Sequence, residues 1–220
     1  MIFCIADLLP AADCAAVIEA AETAGFVDGR QTAGWHARQI KDNQQLAPAE
    51  PRAPALRARI AAALGHHELF SLVVRPKALM PVMISRYQPG MAYGAHVDDA
   101  IMGGLRSDVS FTIFLADPES YDGGELVIDT ALGEQPFKLP IGAGVVYPSG
   151  ALHRVAPVTR GTRLAAVGWA QSLVRDAARR EILFDLDQAR RSLFQAQGKT
   201  TEFDLVSKSV ANLLRLWADT

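Results

Sequence analysis

Asp108-Val109-Ser110-Phe111-Thr112-Ile113-Phe114-Leu115 is too short for a core helix and rich in β-branched and aromatic residues, so it reads as a strand. Similar runs recur at Phe70–Val74, Met80–Tyr87, Glu125–Ile128, Gly144–Tyr147, Leu152–Val158 and Arg163–Ala170. Gly, Pro, Asp and Asn separate them, with turn signals at Asp122-Gly123-Gly124 and Thr159-Arg160-Gly161. Many short strands without helices between them predict a sandwich or barrel, the jelly roll included, over about residues 70–172.

The flanks have a helical period. Pro10 opens a stretch with Cys14, Val17, Ile18 and Ala21 at helical spacing, which Gly25 stops. A second helix is expected from Pro54 to Gly65, through Leu56, Ile60 and Leu64. Between them, 28–51 is polar and reads as a loop, with a short strand at Trp35. Beyond 172, Ile182, Leu186, Ala189 and Leu193 form one apolar stripe. After Gly198, Phe203, Val206, Val210, Leu213 and Trp217 form another. The division expected is residues 1–172, helices plus β domain, followed by a helical extension over 173–220.

The chain has 220 residues, 50% hydrophobic and 21% charged, which excludes disorder, collagen-like repeats and coiled coil. A net charge of −2 argues against nucleic acid as a partner. The arginines at 175, 179, 180, 190 and 191 alternate with acids and read as a solvated helix face. Cys4 and Cys14 form no CxxC and read as small buried apolar residues. No basic residue precedes Arg30, so no secretory signal is expected, and the apolar runs are too short for a membrane span. A cytoplasmic location follows as an expectation. The apolar stripes of the extension need cover, which favours partial burial in a homodimer.

The chemistry concentrates in His96-Val97-Asp98. Alternate residues of an extended segment face the same way, so an imidazole and a carboxylate converge. His153 lies 55 residues after Asp98 in the same β zone. Two histidines and one carboxylate make the facial triad of non-haem iron oxygenases, although a zinc hydrolase uses a similar set. Arg163 follows His153 by ten residues. If Thr159-Arg160-Gly161 is a hairpin turn pairing Val158 with Thr162, Arg163 falls on the same sheet face as His153. An arginine so placed suits a short dicarboxylate with one end on the metal and the other on the guanidinium. Tyr87, before Pro89-Gly90, offers a phenol to a bound acid; Tyr93 has no assigned role. His36, His66 and His67 lack partners at ligand spacing and read as loop or surface residues.

The Tyr-x-x-Gly-x-x-Tyr-x-x-His-x-Asp pattern of Tyr87, Gly90, Tyr93, His96 and Asp98 resembles the iron(II)- and 2-oxoglutarate-dependent dioxygenases of the prolyl/lysyl-hydroxylase-like branch. The resemblance extends to the strand at 108–115, to Gly123-Gly124-Glu125-Leu126, to Tyr147-Pro148-Ser149-Gly150-Ala151-Leu152-His153, and to Arg163 and Trp169. At full length, through Glu181-Ile182-Leu183-Phe184-Asp185-Leu186-Asp187, the chain resembles the bacterial PKHD-type hydroxylases. The resemblance implies an α+β fold: a double-stranded β-helix (jelly roll) flanked by N-terminal helices and a C-terminal helical extension. It implies catalytic iron on His96, Asp98 and His153, 2-oxoglutarate on Arg163, and ascorbate as an associated cofactor. The reaction implied is hydroxylation of a protein residue or small molecule, with release of succinate and CO2. The alternatives are a cupin-like metal-dependent isomerase or hydrolase, and a non-catalytic iron or 2-oxoglutarate sensor.

Overall fold

The computed structural model describes residues 1–219. The N-terminal part runs β1 (Phe3–Ile5), α1 (Ala11–Thr23), β2 (Phe26–Asp28), α2 (Ala37–Ile40), β3 (Lys41–Asp42), β4 (Gln44–Leu46), α3 (Ala53–His66) and α4 (Glu68–Val74). Then come β5 (Pro76–Leu79), β6 (Met83–Tyr87), β7 (Ala92–His96), β8 (Ile101–Met102), β9 (Leu105–Arg106), β10 (Val109–Phe114) and β11 (Asp122–Gly123). They are followed by β12 (Leu126–Thr130), β13 (Gly133–Phe137), β14 (Gly144–Pro148), β15 (His153–Val155), β16 (Val158–Arg160) and β17 (Arg163–Ser172). Two helices close the chain, α5 (Ala177–Gln197) and α6 (Thr201–Trp217).

The strands form a major sheet in the order β1-β14-β10-β17-β6-β4-β2, with β5 also on β17, and a minor sheet β13-β12-β15-β7-β3. All pairings are antiparallel. Every residue of β10 is buried, because both faces of the major sheet are covered. Its outer residues Val109, Phe111 and Ile113 join Leu56, Ile60, Leu64 and Phe70 of the helices in the main core, with Phe70 edge-on to Phe111 at 5.7 Å. Ser110 and Phe114 take the opposite phase, in which Phe114 packs with Val145 and Tyr147 of β14 and Leu126 and Ile128 of β12.

Several expectations change. The run Phe70–Val74 is helical: the His67 ring accepts from the Phe70 N–H, and Phe70, Val73 and Val74 share a buried face. Packing against the sheet's helices outweighs the β propensity of the run. His67 is therefore a cap and not merely a surface residue. The stretch 28–51 is not a loop: β3 and β4 lie in it, and Trp35 precedes α2 instead of forming a strand. The expected strand Leu152–Val158 is interrupted between β15 and β16, where Pro157 has no N–H to donate. The 159–161 turn does not pair Val158 with Thr162. β16 pairs with β11, while β17 pairs with β6, β10 and β5, so Arg163 stands in the major sheet and His153 in the minor one.

In α5 the buried residues are Arg180, Leu183 and Asp187, one position away from the expected stripe; Ile182 and Ala189 are exposed. Arg180 is no solvated residue, since its Nη1 donates to the carbonyls of Val174 and Arg175. Buried Asp187 accepts from Arg190 and Arg191. The two C-terminal helices, with Val174 just before them, form their own cluster in which Val174, Leu183 and Val210 are buried against Leu186, Val206, Leu213 and Trp217. Cys14 is buried as expected, but Cys4 is exposed.

Candidate active site

The two sheets line a cavity that is partly open to solvent. His96 ends β7 and His153 begins β15, and the register sets the two directly opposite. Their rings lie 4.3 Å apart. Asp98 follows two residues beyond His96 on extended chain, and the three side chains offer ligand atoms all within 4.8 Å of one another. The HxD spacing and the distal histidine thus converge as the sequence suggested.

Each imidazole has one nitrogen occupied. His96 Nδ1 lies 2.8 Å from the Gly94 carbonyl and His153 Nδ1 lies 2.9 Å from that of Ala151. A carbonyl only accepts, so each Nδ1 carries the hydrogen, which leaves Nε2 as the nitrogen that could ligate a metal. Burial, helped by His153, holds the His96 imidazole down to about 4, so it is neutral at pH 7. Asp98 Oδ2 accepts from Ser110 Oγ at 2.6 Å, and Ser110 is itself 2.8 Å from Ser149 Oγ. Tyr93 stacks on His96 at 3.6 Å and Tyr147 meets His153 edge-on at 5.1 Å. Two imidazoles and one oriented carboxylate fit a divalent first-row metal with coordination positions left open.

Arg163 is on the major sheet, register-paired with Tyr87 of β6. Its side chain is 1% exposed, yet Nε and Nη1 have no hydrogen-bond partner, and no carboxylate among the described residues pairs with it. The guanidinium rests between the rings of Tyr87 at 5.2 Å and Phe114 at 5.5 Å. Gly124 makes this seat. Its φ is +69°, and a Cβ there would come within 3.0 Å of Arg163 Cδ. Burial pushes the Tyr87 phenol up, so it stays a donor at neutral pH.

Sequence reasoning missed one wall. Lys41, Gln45 and Thr32 line the cavity; Lys41 Nζ reaches Thr32 Oγ1 at 3.2 Å, and Thr32 reaches Gln45 Oε1 at 2.9 Å. Burial pushes the Lys41 ammonium down to about 8. Polar residues on strands of two and three residues carry no periodic signal. His36, His66 and His67 do not line the cavity.

Residues 82–171 match the family model of the 2OG-Fe(II) oxygenase superfamily, and residues 176–219 match the PKHD-type hydroxylase C-terminal domain. A PKHD-type hydroxylase of Picosynechococcus sp. is 60% identical over 187 residues, 85% of each chain. The chain belongs to the PKHD-type hydroxylases. A second relative of this hydroxylase, from Acaryochloris marina, is 54% identical over 219 residues and covers 100% of both chains. Among solved structures, a Pseudomonas putida prolyl-4-hydroxylase superposes with TM-score 0.52 and 26% identity, over 78% of this chain and 92% of that one. HygX from Streptomyces hygroscopicus, with nickel and 2-oxoglutarate bound, shares the fold at TM-score 0.55 and 15% identity, over 79% of this chain and 84% of that one. This hydroxylase is an α+β jelly-roll enzyme of the iron(II)- and 2-oxoglutarate-dependent class, and the cupin-like and sensor readings give way to it. No helix of the described residues is long and apolar enough to cross a membrane.

Proposed function

We propose that His96, Asp98 and His153 hold iron(II), and that Arg163, with Tyr87 beside it, holds the distal carboxylate of 2-oxoglutarate. The observation that carries the second assignment is the orphaned guanidinium of Arg163, since a buried cation without a partner is costly to keep. A carboxylate is its natural complement, because the planar fork donates to two oxygens at once. The bound iron supplies the oxygen chemistry that couples decarboxylation of 2-oxoglutarate, giving succinate and CO2, to hydroxylation of the prime substrate.

The protein's own residues hold geometry. Gly94 and Ala151 orient the imidazoles through their carbonyls, and Ser110 orients Asp98. The phenol of Tyr87 donates to the carboxylate on Arg163. Leu126, Val155 and Val167 supply apolar cavity wall, which limits the water reaching the metal.

Ascorbate is the proposed reductant that keeps the metal in the ferrous state, a reading supported by the family resemblance. The prime substrate is a prolyl or lysyl side chain or a small molecule. The domain division at 172/173 is supported by the separate apolar cluster of the last two helices. A homodimer is supported by the exposed Ile182, Phe194, Leu205 and Leu216 on those helices. Two unpaired cysteines support a cytoplasmic location. The test is succinate release on incubation with iron(II), 2-oxoglutarate and air, followed in cell extract by a search for an oxygenated product. Binding of both without any succinate would return the protein to the sensor reading.

A further inference from the structure

The cavity contains a second buried cation that the iron and 2-oxoglutarate assignments do not use. Lys41 is 6% exposed, and its ammonium makes one hydrogen bond, to Thr32 Oγ1 at 3.2 Å. It lies 5.1 Å from the centre of the Tyr93 ring, which in turn stacks on His96. The carboxylates that act on it most, Asp98 and Asp28, are both farther than an ion pair allows; Asp28 is paired with Arg30. Asp99, the other carboxylate lining the cavity, is exposed.

The charges decide what Lys41 lacks. Iron(II) and the Arg163 guanidinium together are neutralised by Asp98 and the two carboxylates of 2-oxoglutarate. Lys41 is left over, and at 6% exposure water reaches it little. Its neighbours point to the same chemistry. Gln45 is 4% exposed and Trp169 also lines the cavity, and their Nε2 and Nε1 atoms are buried with no acceptor. Among the unmet polar atoms of the cavity lining these two are donors, beside one acceptor, Asn43 Oδ1, and Met83 and Val167 are among the apolar residues of the same lining.

We propose that Lys41, supported by Gln45, is a specificity-determining residue that seats a carboxylate of the prime substrate. This rests on the iron and 2-oxoglutarate reading above. It narrows the substrate class to molecules carrying a carboxylate close to the carbon that is hydroxylated, with an apolar portion against Met83 and Val167. β3 belongs to the minor sheet and β4 to the major one, so Lys41 and Gln45 stand where the chain crosses between the sheets. The substrate anion is thereby held at the side of the metal ligands, away from the major-sheet seat of Arg163.

The experiment uses the full chain loaded with zinc(II), as a redox-silent stand-in, and saturating 2-oxoglutarate. N-acetyl-L-leucine and N-acetyl-L-leucinamide, which differ in the single charge, are titrated by ligand-observed NMR. The acid is expected to bind at least about tenfold more tightly than the amide, and Lys41→Met is expected to remove that preference. Equal binding of the pair, or binding of neither, overturns the proposal without any variant being needed. Displacement of the acid by further 2-oxoglutarate also overturns it, because the anion would then sit on Arg163. The 2-oxoglutarate dissociation constant of Lys41→Met is measured in parallel; a tenfold weakening assigns Lys41 to the cosubstrate instead. Removing an unpaired buried cation should not lower the melting temperature, and a fall of about 4 °C or more makes Lys41 a structural residue. Loss of 2-oxoglutarate binding by the wild-type protein would mark a failure of the cosubstrate reading, distinct from a failure at Lys41.

Discussion

Replacing Arg163 by lysine separates charge from geometry in the proposed cosubstrate site. The charge stays, but the two donors that lack partners, Nε and Nη1, are exchanged for one ammonium. A hydrogen bond to a charged group contributes about 1.5–3 kcal/mol. Losing one of two such bonds to the distal carboxylate therefore raises the KM for 2-oxoglutarate about 10- to 150-fold, at 1.4 kcal/mol per tenfold. The iron site should be nearly untouched. Arg163 belongs to the major sheet, whereas His96 and His153 are in the minor sheet. The assay is succinate formation against 2-oxoglutarate concentration, with iron affinity measured separately by equilibrium dialysis. An unchanged KM would remove Arg163 from the cosubstrate site. A parallel fall in iron affinity would mean that the residue supports the metal ligands instead.

Asp98→Ala should abolish both stoichiometric iron binding and 2-oxoglutarate turnover; metal retained at wild-type affinity would strike Asp98 from the ligand set. Ser110→Ala frees the carboxylate that its hydroxyl holds at 2.6 Å, and metal affinity should fall about 10- to 100-fold with little change in fold, checked by competition with a chromogenic chelator. Leu183 is 0% exposed at the centre of the C-terminal cluster, so Leu183→Ala should cost about 2–5 kcal/mol in urea unfolding. Removing 176–220 should lower the melting temperature, since Phe184 packs edge-on to Phe3 of β1 at 4.9 Å. Light scattering on the same pair reads the homodimer: an unchanged mass state leaves these helices without an interface role.

The sequence by itself was sufficient for the kind of fold and for bringing forward His96, Asp98 and His153 as the candidate ligand set. An HxD on extended chain is a local device, because the two side chains face one way whatever the rest of the protein does. His153 was recognisable because its surrounding motif is contiguous. The C-terminal helices were legible from their period, although the true stripe through Leu183 and Asp187 lies one residue off, since the cluster and its arginines choose the buried face.

Only tertiary structure decided what stands opposite what. The structure places Arg163 in the cavity lining, but not at the address the sequence suggested. The hairpin that would have joined it to His153 does not form, because β16 pairs with β11 and β17 joins the other sheet. Strand pairing depends on partners distant in sequence, and a turn signal at 159–161 fits either outcome. The same is true of Phe70–Val74, whose β-rich composition gives way to a cap from His67 and to packing on Phe111. Lys41 and Gln45 stood in a polar stretch that reads as loop. They acquire meaning only when β3 and β4 cross from one sheet to the other and turn a buried ammonium and an unmet amide into the cavity that His96, Asp98 and His153 also line.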